Sequence, residues 1–479
     1  MKKSIAKNAL LNVIRNVSNI IYPLVTFPYV SRVLGVDAIG KYNFASSFIS
    51  YFILIAGLGI SSYAIREGAR IREDKESLSL FASEMFAINI ISTFLAYVCL
   101  FICVICIRKL DDYRLLLFVF SFQIIMTTIG VEWIYSIYED YKYITIRTLF
   151  FKLISLILLF LFVRTKDDVV KYAGVTTFAL SGSGVLNLIH SRKYLKFDFK
   201  KITSIKQHMK PILTLFSASV AVMIYVYSDT TILGFLKSDY EVGLYSLSSK
   251  IYTIIKSVIS AMLIVSIPRL SALYGNKEFD EYNHTLQKII DSIGVLLLPC
   301  VVGLFILSDN IVQFVGGSDY LEAAPSLRLL SVALLFCLYG WIFNQCILLP
   351  SKNEKTISFA TIISALINIS LNFVLIPMWS ENAAAVTTVI AEFLMLLICY
   401  CKGRNLNSSK VLNRNLFQIF IGCVGIGIIC IFCKLFISNN IILVSVAIIG
   451  SVISYGMILL IFKNEQVIKI IVRIKSRRK

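Results

Sequence analysis

Histidine occurs three times and proline eight times in 479 residues, and only 16% of the chain is charged. A soluble domain carries about 25% charged and roughly 45–50% apolar residues, so a chain that is 57% hydrophobic falls outside the soluble class. The few histidines never stand at metal-ligand spacing with cysteine. All eleven cysteines, from Cys99 to Cys433, lie inside or at the edge of apolar runs, so zinc and disulfide frameworks are set aside. Segments of alternating polarity, about ten residues each, are also missing, which excludes a transmembrane barrel. No connection between apolar runs exceeds about twenty residues, so no soluble domain is inserted.

What is present is apolar length. Thirty-three Phe and 24 Tyr accompany a mean hydropathy of +0.80. Runs of ~20 apolar residues recur from end to end, each able to cross a ~30 Å hydrocarbon core as a helix. They predict an all-α integral membrane protein of fourteen transmembrane helices, the first at 9–31 and the last at 441–462. The opening, MKKSIAKNALLNVIRNVSNI, has the basic start of a signal peptide. Asn12, Arg15 and Asn16 interrupt its apolar core and no clean cleavage site follows, so it reads as a retained first helix.

Lys and Arg favour the cytoplasmic side of short loops. Roughly three times as many fall on the segments sharing a side with the N-terminus as on the opposite side, which predicts cytoplasmic N- and C-termini. The net charge of +19 is therefore mostly an inner-face property. Residues 191–211 and Lys475–Lys479 then hold helices to anionic membrane lipids, and a nucleic-acid partner is not expected.

Two stretches echo one another: VLGVDAIGKY at 33–42 and ILGFLKSDYEVGLY at 232–245. Gly40 and Tyr42 correspond to Gly243 and Tyr245, and each turn joins the first two helices of a six-helix set. This predicts parallel repeats. The expected domains are an N-terminal six-helix bundle, 1–207, and a C-terminal one, 208–402. Helices 13 and 14 follow at 403–462, then a basic cytoplasmic tail at 463–479.

Polar residues inside the spans point to a wet cavity. On helix 1, Asn8, Asn12, Arg15, Asn16 and Asn19 share one face. On helix 8, Ser249, Lys250, Thr253 and Lys256 do the same, with Ser246, Ser257 and Ser260. Lys152 on helix 5 shares a face with Thr145, Thr148 and Ser155. A charge at bilayer depth costs at least ~2.5–3.5 kcal/mol, so these groups require water or a partner. Buried acids are fewer: Glu132, Asp229, Asp291 and Glu392. A cavity richer in cations than in acids suits a polyanion, and phosphate above all.

The segments PLVTFPYVSRVLGVDAIGKYNFASS (23–47), GLGISSYAIREGARIRED (57–74) and GVEWIYSIYEDYKYITIRT (130–148) carry a resemblance. So do YSDTTILGF (227–235), EVGLYSLSSKI (241–251), IPRLS (267–271) and NISLNFVLIPMWSENAAAVTTVIAEF (368–393). Together they resemble the Wzx-type flippases of bacterial polysaccharide repeat units, O-antigen and capsule among them. That family lies in the superfamily holding multidrug (MATE) exporters and the lipid II flippase. The resemblance implies a MATE-like fold: two six-helix bundles around a central cavity, plus two C-terminal helices. It implies an undecaprenyl-diphosphate-linked oligosaccharide as substrate, moved from the inner to the outer leaflet of the bacterial cytoplasmic membrane by alternating access. A polysaccharide polymerase and a chain-length regulator are its expected partners.

Face analysis assigns Arg15, Lys250 and Lys256 to the diphosphate, with Lys152 in the same cavity. Asn12, Asn16, Asn19, Ser249 and Thr253 are assigned to sugar or headgroup contacts. A coupling proton or sodium ion would sit at Asp229 or Glu132, then Glu392 or Asp291. For Glu132 the competing structural role is pairing with Lys152 or Arg147. Rival readings are a lipid II-type flippase or a MATE-type drug exporter, the latter expected to have a more acidic cavity. A membrane polymerase or glycosyltransferase is set aside, because its one tempting pair, Asp111-Asp112, sits in a short loop with Arg108, Lys109 and Arg114. No catalytic residue, cofactor or metal is expected.

Overall fold

The computed structural model describes residues 5–199, 202, 205–406 and 414–468, and these are predominantly helical, with no strand among them. The chain divides into two compact units, Met1–Gly243 and Leu244–Lys479. In the first unit α1 runs Ile5–Gly57, α2 Ile60–Arg70, α3 Lys75–Cys106, α4 Arg114–Ile129 and α5 Glu132–Ile137. Then come α6 Tyr141–Phe162, α7 Val169–Ser181, α8 Gly184–Ser191 and α9 Lys206–Leu236. Helix α10, Asp239–Gly275, begins in the first unit and continues into the second. The second unit goes on with α11 Phe279–Ile306, α12 Ser308–Gly316, α13 Ala324–Trp341, α14 Glu354–Gly403, α15 Arg414–Phe436 and α16 Asn440–Ile461.

Eleven helical stretches are long and apolar enough to cross a membrane among the described residues, or twelve when the bent pair 239–261 and 266–275 counts as one. This count parts from the expected fourteen where two stretches are double. Helix α1 has 53 residues, or ~80 Å at ~1.5 Å per residue, more than twice the hydrocarbon thickness. It is two helices joined at Gly35, whose φ of 80° only glycine adopts without strain. Helix α14 breaks in the same way at Ser380. Large apolar side chains stay exposed along the spans, such as Phe94, Phe101, Phe420 and Leu435, as lipid contact requires.

Between the spans, α2 is amphipathic: it buries Ile60, Tyr63, Ala64 and Gly68 and exposes Arg66 and Arg70. Asp74 caps α3 by accepting from the amides of Glu76 and Ser77. The Ser77 hydroxyl, then those amides, hold its carboxyl below the usual carboxylate range. The basic tail expected at 463–479 is described only as far as 468.

The division at Gly243 lies past the boundary expected at 207, because α9 packs on α1 and α2. Gly234 of α9 sits against the Phe44 ring, and the Lys109 ammonium donates to the carbonyls of Phe235 (3.1 Å) and Lys237 (2.7 Å). Helices α15 and α16 are not separate from the second unit. They pack on each other, α15 docks on α11, and from α16 the Tyr455 hydroxyl donates to the Val295 carbonyl of α11 at 2.9 Å.

The echoed turns meet in the first unit. A methyl on Gly40 would lie 1.7 Å from the Asp239 carbonyl oxygen and 2.9 Å from the Gly243 nitrogen. One on Gly243 would lie 2.2 Å from the Val36 oxygen. The tyrosines of the echo do the same work in each unit. Tyr42 donates to Thr176 on α7 at 3.1 Å, and Tyr245 bonds Thr388 on α14 at 3.3 Å. Those threonines belong to two Val-Thr-Thr triplets, 175–177 and 386–388. Each echoed tyrosine thus meets a threonine of such a triplet, Tyr42 the middle residue and Tyr245 the last.

Candidate functional site

Helix α1 carries its polar row from the first turns onward. Asn12 and Arg15 are half-buried, while Asn16 and Asn19 are exposed. Helix α6 supplies the facing side, and Thr145 ties the two by donating to the Leu11 carbonyl at 3.1 Å. Two turns on, the Lys152 ammonium bonds the Asn19 amide oxygen and, at 3.3 Å, the Ser18 hydroxyl. It also lies 5.8 Å from the Tyr22 ring centroid, and Ser155 donates to the Tyr22 hydroxyl at 3.0 Å. Asn19 and Lys152, assigned separately from two helix faces, stand together.

Below this pair a carboxylate bridges two guanidinium groups. Glu132 Oε1 accepts from Arg15 Nη1 at 3.2 Å and from Arg147 Nη2 at 3.3 Å. Arg147 Nη1 donates to the Asn187 amide oxygen of α8 at 2.5 Å. Glu132 was expected to be buried, but its side chain is 51% exposed. It opens α5 just after the backbone breaks at Val131, which turns it outward. Of the two cations weighed as its structural partner, Arg147 is the one it meets, with Arg15 beside it.

Arg147 is 8% exposed, so its charge depends on those partners; Arg15 is 30% exposed. The Nε atoms of both arginines are buried and lack a hydrogen-bond partner among the described residues. Two cations, Arg15 and Arg147, therefore share one carboxylate and each keeps an unspent Nε donor, while Lys152 stands further along α6 on Asn19 and Ser18. Such a cluster can take an anion with several acceptor oxygens. Arg147 and Asn187 were missed as site residues. Arg147 is one residue off the Thr145-Thr148-Lys152-Ser155 face, and Asn187 gives no local signal.

In the second unit the α10 row divides. Thr253 and Ser257 turn their hydroxyls back to the carbonyls of Ser249 and Thr253, at 2.8 and 2.7 Å. Ser249 and Lys250 are half-buried. The Lys256 ammonium stands 3.5 Å from Glu392 Oε1, which also accepts from the Tyr252 hydroxyl at 3.1 Å. Lys256 and Glu392, assigned different roles from sequence, thus form one pair. Asp229 is buried in α9 near the Tyr51–Thr231 bond. Asp291, expected to be buried, is half-exposed and accepts from Gln287 at 3.1 Å, since it lies one turn along the same helix.

These observations define a multi-pass α-helical membrane protein with an ordered row of cations and amides inside its first unit. The family model described as polysaccharide biosynthesis protein matches residues 5–274, more than half the chain, and the chain belongs to that family. A second model, MatE, matches residues 214–374. The chain is 21% identical over 395 residues to a Shigella dysenteriae protein named "Putative O-antigen transporter", covering 82% of this chain and 98% of that one. It is 24% identical over 375 residues to the Staphylococcus aureus capsular polysaccharide biosynthesis protein CapF, covering 76% and 90%. The solved lipid II flippase MurJ, in an inward closed conformation, superposes with a TM-score of 0.77 at 16% identity, covering 96% of this chain and 99% of that one. The fold is therefore MATE-like.

Proposed function

We propose that this protein flips an undecaprenyl-diphosphate-linked oligosaccharide across the bacterial cytoplasmic membrane, with both termini on the cytoplasmic side. The observation that carries the reading is the pair Arg15 and Arg147 on the single carboxylate of Glu132, with unspent Nε donors on both arginines and Lys152 further along α6. A diphosphate brings the acceptor oxygens such a cluster lacks, and arginine engages them as a planar fork. The amides of Asn12, Asn16 and Asn19 along the same helix offer donors and acceptors to sugar hydroxyls. The names of the relatives support the same substrate class. An organic-cation exporter would need the opposite charge balance. A polymerase and a chain-length regulator would act on the delivered unit.

Transport also needs a bias between states. In this reading Glu392, buried against Lys256 and Tyr252, is the first candidate for a coupling proton or sodium ion. Taking up a cation there would weaken the hold on Lys256. Asp229 and Asp291 are the remaining candidates, and Glu132 serves the cation cluster.

The test uses protein reconstituted in vesicles with a fluorescent lipid-linked oligosaccharide. Transfer is read as headgroup accessibility to an external quencher. The Arg15→Ala/Arg147→Ala variant should insert normally and lose transfer, and transfer at the unaltered rate would remove the reading.

A further inference from the structure

A concavity of about 470 Å³ lies on the first unit between α6 and α8. Its polar part is built from four groups. Lys142 and Lys193 are exposed at its mouth. Arg147 lies at its back, its Nε without a partner among the described residues. The His190 ring is stacked on Tyr143, with centroids 4.1 Å apart and planes 6° from parallel. The His190 Nε2 atom is buried and likewise has no partner among the described residues. The one carboxylate in the lining, Asp140, already accepts from the Tyr194 hydroxyl at 2.5 Å and the Tyr143 amide at 3.4 Å.

The rest of the wall is apolar and faces outward: Ile146 is 56% exposed, Phe150 56% and Leu186 48%. Exposed lysines beside exposed hydrophobic side chains place this recess at the boundary of headgroup and hydrocarbon. A small soluble anion would use only the polar half. A lipid carrying a phosphate uses both.

We propose that this recess binds an anionic phospholipid, its phosphate held by Lys142, Lys193, His190 and Arg147 and its acyl chains lying along Ile146, Phe150 and Leu186. The proposal stands whether or not the chain flips an oligosaccharide. Arg147 gives the site a consequence, because it lines this recess while its terminal nitrogens hold Glu132 and Asn187. A bound phosphate would fix the guanidinium on which the inner cluster depends.

Purified full-length protein would be examined by native mass spectrometry with phosphatidylglycerol, with phosphatidylcholine of the same chains, and with glycerol 3-phosphate as the headgroup alone. The expected result is retention of phosphatidylglycerol over phosphatidylcholine, with no displacement by equimolar glycerol 3-phosphate. Lys142→Gln/Lys193→Gln should lower phosphatidylglycerol occupancy about five-fold, and His190→Phe, which keeps the ring stack, about three-fold. Lys206→Gln/Lys210→Gln, which removes the same charge from exposed positions, should leave it unchanged. Equal losses in the two lysine pairs would mean diffuse surface charge and overturn the proposal. So would unaltered binding in the Lys142/Lys193 and His190 variants, or displacement by glycerol 3-phosphate.

Discussion

Arg147 shows how one buried side chain divides its work. Its two terminal nitrogens fix Glu132 and Asn187, and neither bond survives replacement by a point charge on a flexible stem. Arg147→Lys keeps the charge and should still cut the initial rate of vesicle transfer about tenfold or more, since hydrogen bonds to charged groups contribute about 1.5–3 kcal/mol each. A second buried cluster carries stability instead. His208 Nε2 lies 2.8 Å from Glu84 and Nδ1 2.8 Å from the Tyr63 hydroxyl, all three buried. An ionised Glu84 makes Nε2 the donor and leaves Nδ1 to accept from tyrosine. His208→Ala removes one partner from each and should destabilise by about 1.5–3 kcal/mol, seen as a lower melting temperature in detergent with the fold retained.

At the scale of elements, the glycines separate into those that are pressed and those that are free. Gly243 meets the Val36 backbone, which cannot rotate aside as a side chain can. Gly243→Ala should therefore destabilise by about 1–3 kcal/mol or more through overpacking. Gly174, helical and with nothing within 4 Å of its would-be Cβ, should gain up to about 1 kcal/mol as alanine. Comparing the two melting curves checks the pair, and equal shifts would contradict the close approach. This joint was half legible: the echo of Gly40 and Gly243 stood out in the letters, but nothing in them says that the copies touch. The polar rows were legible because helical periodicity sets a face. Most of their partners were not, because the Lys152–Asn19 and Lys256–Glu392 contacts join helices far apart in sequence, whereas Arg147 and Glu132, fifteen residues apart, were weighed as a pair. The helix count differs because α1 and α14 each run through a single break, at Gly35 and Ser380, that the letters read as a loop between separate spans.

For the molecule as a whole, the bias of Lys and Arg predicts a definite orientation that native cysteines can report. Cys106, at the end of α3, and Cys401, near the end of α14, are both exposed. The charge pattern puts them on opposite sides of the membrane. In variants keeping one or the other, an impermeant maleimide applied to intact cells should label Cys106 and spare Cys401 until the membrane is opened. The reverse pattern would invert the topology and move the lipid recess to the other leaflet. The two echoed turns bring a different consequence. Gly40 and Gly243 already present bare main chain to one another, so neither has any bulk left to shed. Substitution can wedge that joint open but can never draw it tighter, so any compensating change must come from the residues around it.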